Sequence, residues 1–265
     1  MNRKSRARSR LPVARALAAL VFLSVEAGAQ VTKEWPIHSR ERPQPRIVTP
    51  AAVPGPVAPP SDAIILMGRD LSKWRSASEK GGPAMWTVAD DYIEVLPGAG
   101  DIQTRDGFGD VQLHVEFATP VKVEGSGQER GNSGLYLMGK YEIQILDSYQ
   151  NTTYADGQAA ALYGRQPPLV NASRPPGEWQ TYDIIFRRPR FDAKGKLISP
   201  ARVTVIHNGV LVQDNVTLTG PTGHHAQPPY KRHSSEMPIM LQDHGNKTRF
   251  RNIWLRELEK PTGTT

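Results

Sequence analysis

The chain has no cysteine, and only 7% of its 265 residues are Phe, Trp or Tyr. Without cysteine there is no disulfide framework and no thiolate metal centre, so stability must come from core burial. A sustained helical period is also lacking, which removes coiled coils and helical bundles. The apolar run from Ala16 to Val25 is about half of the roughly 20 residues that a membrane-spanning helix needs. No phosphate loop, dinucleotide fingerprint or nucleophile elbow occurs: Gly107-Phe108-Gly109 lacks both a third glycine and a following helix. Excess charge is scarce once its location is considered. The formal net charge is +7, but residues 1–29 hold six basic side chains against one acid, and the remainder carries 27 against 25. That balance gives no support to a nucleic-acid partner.

What is present falls into four stretches. Basic residues from Arg3 to Arg10, the apolar run and then Ala27-Gly28-Ala29 form the three parts of a secretory signal peptide over residues 1–29. The mature chain is therefore expected to be periplasmic or secreted, with no membrane span. Residues 30–60 contain eight prolines, each removing a backbone donor, and read as a disordered or extended arm that forms no regular element and contributes little to stability. Residues 61–258 have the composition of a globular domain, long enough for a substantial core. Residues 259–265 read as a frayed tail.

Within the domain the dominant period is two. Val111-Gln112-Leu113-His114-Val115-Glu116-Phe117 places apolar side chains on odd positions and polar ones on even positions, as a half-buried antiparallel strand does. Similar short segments recur at residues 64–66, 86–88, 92–95, 134–138, 141–146, 181–186, 202–207, 210–213, 239–241 and 249–258. Asn208-Gly209 between two of them suits a type I′ hairpin turn, where both central residues need positive φ. About eleven short strands punctuated by Gly and Pro predict an all-β, two-sheet sandwich of antiparallel strands.

The segment richest in chemistry is Tyr141-Glu142-Ile143-Gln144-Ile145-Leu146-Asp147. Glu142 and Gln144 share one face. Asp147 falls on the other by strict alternation, unless a one-residue bulge near Ile145-Leu146 brings it round. Two carboxyl groups and an amide in a row would suit acid/base work on a sugar. Gln242-Asp243-His244-Gly245 follows a short apolar strand and presents a histidine at a turn. Asn132-Ser133-Gly134 is a turn that could donate to a ligand, and Glu178-Trp179 sets an aromatic face beside rigid loop backbone. His224, His225 and His233 match no standard zinc spacing.

Taken in order, Gly107-Phe108-Gly109-Asp110, Asn132-Ser133-Gly134, the 141–147 segment, Ala161-Leu162-Tyr163-Gly164, Pro175-Pro176-Gly177-Glu178-Trp179, Leu241-Gln242-Asp243-His244-Gly245 and Phe250-Arg251-Asn252-Ile253 resemble the 3-keto-disaccharide hydrolase domain family, over about residues 63–258. The resemblance implies a concanavalin A-like jelly roll with a concave sugar-binding face. It also implies action on glycosides already oxidised to a ketone at C3. Laminarinase-type glycoside hydrolases of the same fold carry Glu, Asp and Glu on a bulged strand. Here Glu142, Gln144 and Asp147 depart from that set, which speaks against an ordinary double displacement. A 3-keto group instead acidifies the C2 hydrogen, so that a base, an acid and donors to an enolate suffice.

The expectation is that Glu142, His244 and Asp147 share the proton transfers, that Gln144 and Asn132 donate, and that Tyr163, Trp179 and Gln242 shape the sugar site. No cofactor is firmly implied, and a divalent cation is left open, as is the oligomeric state. Two other readings compete: a carbohydrate-binding jelly roll without activity, and a cell-envelope interaction protein that works through its Pro-rich arm. The few aromatics give little material for an extended sugar-stacking platform.

Overall fold

A computed structural model describes residues 35–52, 55–67 and 70–258. The signal-peptide and frayed-tail readings lie outside the described residues. The larger sheet runs, in spatial order, β15 (Val210–Thr217), β14 (Arg202–His207), β11 (Gln180–Arg187), β7 (Val111–Ala118), β17 (Arg249–Glu257), β5 (Ile93–Glu94) and β4 (Thr87–Val88), and β2 (Ile64–Ile65) also pairs with β17. The smaller sheet runs β3 (Trp74–Ser76), β6 (Ile102–Thr104), β16 (Met240–Leu241), β8 (Ser133–Leu137) and β9 (Tyr141–Ile145). Neighbours in both sheets are antiparallel. Two short pairs stand apart: β1 (Arg46–Ile47) lies parallel to β10 (Val170–Asn171), and β12 (Arg190–Phe191) is antiparallel to β13 (Leu197–Ser199).

Alternation decides where the core sits. Val111, Leu113, Val115 and Phe117 of β7 and Tyr182, Ile184 and Phe186 of β11 meet Leu135, Leu137, Ile143 and Ile145 of the smaller sheet in one buried cluster. The Phe117 and Tyr182 rings lie 4.7 Å apart within it. The result is the all-β jelly-roll sandwich that the period-two segments predict. Asn208 and Gly209 adopt φ of 52° and 79°, the two positive values of the expected hairpin turn. The residues of β9 between the core-facing ones, Glu142 and Gln144, point away from the core, yet they too are buried. Other chain segments must therefore cover that face.

The structure departs from two of the expectations. Between β8 and β9 the pairing runs from Leu137↔Tyr141 to Ser133↔Ile145 without a shift, so the expected bulge is not in the ladder. The strand ends instead. The Ser148 N–H turns back to the Leu146 carbonyl at 2.9 Å, and the Asp147 N–H reaches the Arg130 carbonyl at 3.2 Å. The arm is extended, but it is not without regular structure. Arg46 and Ile47 pair with Val170 and Asn171. Gln44 donates to the Thr153 carbonyl and accepts from Gln158, and Asn252 donates to the Val57 carbonyl. Proline does not prevent such docking, because carbonyls and intervening side chains still make hydrogen bonds.

Candidate active site

On the outward face of the smaller sheet, strand pairing sets Tyr136 opposite Glu142 and Gly134 opposite Gln144, while Gln242 follows β16. Tyr136, Glu142, Gln144 and Gln242, with Asn132, Tyr163, Thr222, Gly223, His224 and His244, line a cavity of about 190 Å³. Drug-sized ligand sites measure about 300–1,000 Å³, so this one suits a single small polar ring. Gly134 is needed for close approach. A Cβ there would lie 2.8 Å from Glu142 Oε1 and 2.8 Å from Tyr136 Cε2. The Glu142 backbone N–H donates to Thr222 Oγ1 at 3.0 Å, which ties the strand to the covering loop.

Glu142 is only 3% exposed. Burial pushes its carboxyl up to about 7, partly offset by a hydrogen bond from Tyr136 and by His38, and reinforced by the charge of Asp101. Burial and the Glu142 charge both raise Tyr136, which therefore stays a phenol and a donor. Asn132 and Gln144 differ from expectation in their roles. Asn132 Nδ2 donates to the Gln128 carbonyl at 2.7 Å and Gln144 Nε2 donates to Gln128 Oε1 at 2.9 Å. Their carbonyl oxygens are buried with no protein partner, so these amides offer acceptors. A sugar's hydroxyl hydrogens are the natural complement.

His244 is exposed at the rim, on a loop shaped by Asp243, which accepts from the N–H groups of Gly100 and Gly245. The Asp243 N–H in turn donates to Asp101, whose carboxyl burial raises. Gln242 donates to the Tyr136 hydroxyl at 3.3 Å, and the Tyr163 and Tyr154 hydroxyls are 2.7 Å apart. The cavity thus unites Glu142, Gln144, Asn132, Tyr163, Gln242 and His244. It does not include Asp147 or Trp179. Asp147 is held by Arg130 Nε at 2.6 Å and lines a neighbouring cavity with Lys122, Gly131 and Asn246, so the three-residue row on β9 does not form. Trp179 carries the Arg251 guanidinium 4.1 Å above its ring, with Arg249 at 5.3 Å and Tyr92 beside it. It packs arginines rather than facing the cavity.

Tyr136 is not singled out by the sequence, although the same alternation that turns Glu142 away from the core would place it. Thr222, Gly223 and His224 come from a loop with no periodic signal. His224 and His225 stack at 4.0 Å, whereas His233 bonds the Tyr141 hydroxyl elsewhere. Among the described residues no group of three or more His, Asp or Glu side chains is arranged to hold a metal.

The sequence is 25% identical over 148 residues to a 3-keto-disaccharide hydrolase of Bacteroides thetaiotaomicron, a match that takes in 46% of this chain and 51% of that protein. The chain therefore spans about half the length of the curated relative it matches. A crystal structure of a proposed glycosyl hydrolase from Parabacteroides distasonis superposes with a TM-score of 0.73 at 45% identity, covering 82% of this chain and 93% of that one. A second such structure from the same organism, with a TM-score of 0.54 and 20% identity over 75% and 94% of the two chains, shares the fold. The pattern of one domain family matches residues 62–256, most of the chain and nearly all of the sandwich that holds the cavity, and the chain accordingly belongs to the 3-keto-alpha-glucoside-1,2-lyase-like domain family.

Proposed function

We propose that the protein is an exported, periplasmic or secreted, carbohydrate-active enzyme that cleaves 3-keto-glycosides by elimination and hydration. The observation that carries this reading is Glu142, a buried carboxyl held near neutral pKa at the end of a small polar cavity. A general base works best with a pKa near the operating pH. The Glu142 carboxylate takes the C2 proton, and the electron pair left on C2 forms an enolate whose charge rests on the C3 oxygen. Once the Glu142 carboxyl is protonated, the single hydrogen of the Tyr136 phenol is released from it and can be given to that charge. As the enolate collapses, the C1–O bond breaks and His244 supplies a proton to the leaving oxygen. Water then adds to C1 of the resulting enone and passes its second proton to His244, while the Glu142 carboxyl, having exchanged its proton with solvent, protonates C2. The sum is hydrolysis, with no oxocarbenium ion and no second nucleophilic carboxylate, which agrees with Asp147 being engaged by Arg130.

The test is turnover of 3-keto-glycosides in heavy water, with unoxidised glycosides as control. Deuterium is expected at C2 of the released 3-keto sugar. Since the base must be ionised, kcat/KM should rise with pH through about 7. Glu142→Gln should lower kcat by roughly 10²–10⁴ with KM little changed. A product without deuterium at C2, under conditions where the free sugar does not exchange, would overturn the mechanism.

A further inference from the structure

The family pattern begins at Asp62, yet one wall of the cavity is braced by a residue far upstream of it. His38, on the Pro-rich arm, has a side chain only 8% exposed, wedged between two segments that line the cavity. On one side stand Tyr154 and Tyr163, with ring centroids 4.0 and 5.0 Å away. On the other lies the loop carrying Thr222, Gly223 and His224. His38 Nε2 is 2.6 Å from the His224 carbonyl, and since a carbonyl can only accept, Nε2 carries the hydrogen. The buried carboxylate of Asp156 grips the same residue twice, accepting from the His38 backbone N–H at 3.0 Å and facing Nδ1 at 3.5 Å. His38 adopts φ of 58°, a left-handed conformation uncommon for histidine, and such strain persists only where surroundings impose it.

The loop's other anchors make the role specific. Arg165 Nη2 donates to the carbonyls of Pro221 and Pro228, fixing both ends. His38 reaches the stretch between them, at His224. Resting on the reading of this cavity as the active site, we propose that His38 is a positioning residue, which clamps the Thr222–His225 loop against the Tyr154–Tyr163 wall and thereby makes the arm part of the catalytic cavity. The groups facing its ring are Asp156, Tyr154, Tyr163, His224, His225 and, at longer range, Glu142; Arg42 of the arm faces Asp156. Burial opposes charge on His38, but the Asp156 and His224 contacts overcome it and raise its pKa, and its positive charge acts to lower that of Glu142.

The test is His38→Asn, because asparagine tolerates the left-handed backbone and so isolates the ring. Amide hydrogen exchange of residues 223–226 in the ligand-free full chain is expected to speed up, with the melting temperature within a few degrees of wild type. With 3-keto-glycoside substrate, kcat/KM should fall by roughly tenfold or more. The rising limb of its pH profile should move to higher pH, because Glu142 loses a neighbouring cation; a purely structural role would not move that limb. Unchanged exchange together with an unchanged profile would overturn the proposal. If the wild-type protein turns over no 3-keto-glycoside, the reading of the reaction fails, and the exchange measurement still decides whether His38 holds the loop.

Discussion

Glu142 has the properties of a base because of its neighbours on the paired strand, six and eight residues earlier in the chain. Tyr136 lies directly opposite and donates to the carboxyl, and Gly134 leaves the space into which the carboxyl folds. Gly134 lies in regular strand, so its value is steric rather than conformational. Gly134→Ala would put a Cβ 2.8 Å from Glu142 Oε1 and 3.2 Å from Gln242 Oε1, nearer than atoms can approach without movement. The buried carboxyl must then leave its position. We expect kcat/KM to drop by roughly tenfold or more, as small misplacements of reacting groups do, with a melting temperature lowered by only a few degrees. Activity within about twofold of wild type would show that the carboxyl has room to spare. At this scale Glu142 and His244 were legible in the sequence, because charge on an alternating strand and a histidine at a turn are local signals. The acceptor role of Asn132 and Gln144 was not, since it depends on Gln128 occupying their amide nitrogens, a contact that no spacing encodes.

Strands long enough to show alternation are legible almost residue for residue: β7 at 111–118 and β14 at 202–207 are examples. Among those of two or three residues, β2, β4, β5 and β16 fall within expected segments, but β3, β6 and β10 do not, because a period of two needs more than one cycle to be seen. The failure at Asp147 has the same origin. Two successive apolar residues are compatible with a bulge or with the end of a strand, and the choice was made by Arg130, seventeen positions away in sequence. Alternation also hid a buried ionic row on the outer face of the larger sheet. His114 Nδ1 is 2.7 Å from Asp183, Glu116 takes Arg251 Nε at 2.7 Å and the Asn252 amide at 2.8 Å, and Trp254 stacks on the His114 ring. Burial disfavours the His114 cation, yet Asp183 and Glu116 raise its pKa to about 9. A folded value above the unfolded 6.5 means that this contribution is full below pH 6.5 and is lost as pH rises through 9. Denaturant unfolding should therefore show the stability gap between wild type and His114→Asn narrowing from pH 6 to pH 10, by on the order of 2–3 kcal/mol. A gap independent of pH would mean that His114 acts there only by packing.

For the molecule as a whole, the departure from the sequence reading lies in the arm. Eight prolines and few large apolar side chains describe a segment that cannot fold alone, but they do not say whether a folded surface receives it. Here the surface supplies the missing partners. Asp156, Thr153 and Gln158 meet His38 and Gln44, β10 offers an edge to β1, Arg174 donates to the Ala51 carbonyl, and Asn252 donates to the Val57 carbonyl. Several of the receiving groups are almost fully buried, Asp156 at 1% exposure among them. Removing the arm would leave a buried carboxylate without its histidine and an edge strand without its partner. At about 1 kcal/mol net for each hydrogen bond, and roughly 2–4 °C per kcal/mol for a domain of this size, deleting residues 31–60 should lower the melting temperature by about 10–20 °C. The same deletion should also reduce kcat/KM, because His38 goes with it, and restoring residues 35–47 alone should recover most of the activity. A deletion variant with wild-type melting temperature and wild-type kcat/KM would show that the arm rests on the sandwich without supporting either its stability or its cavity.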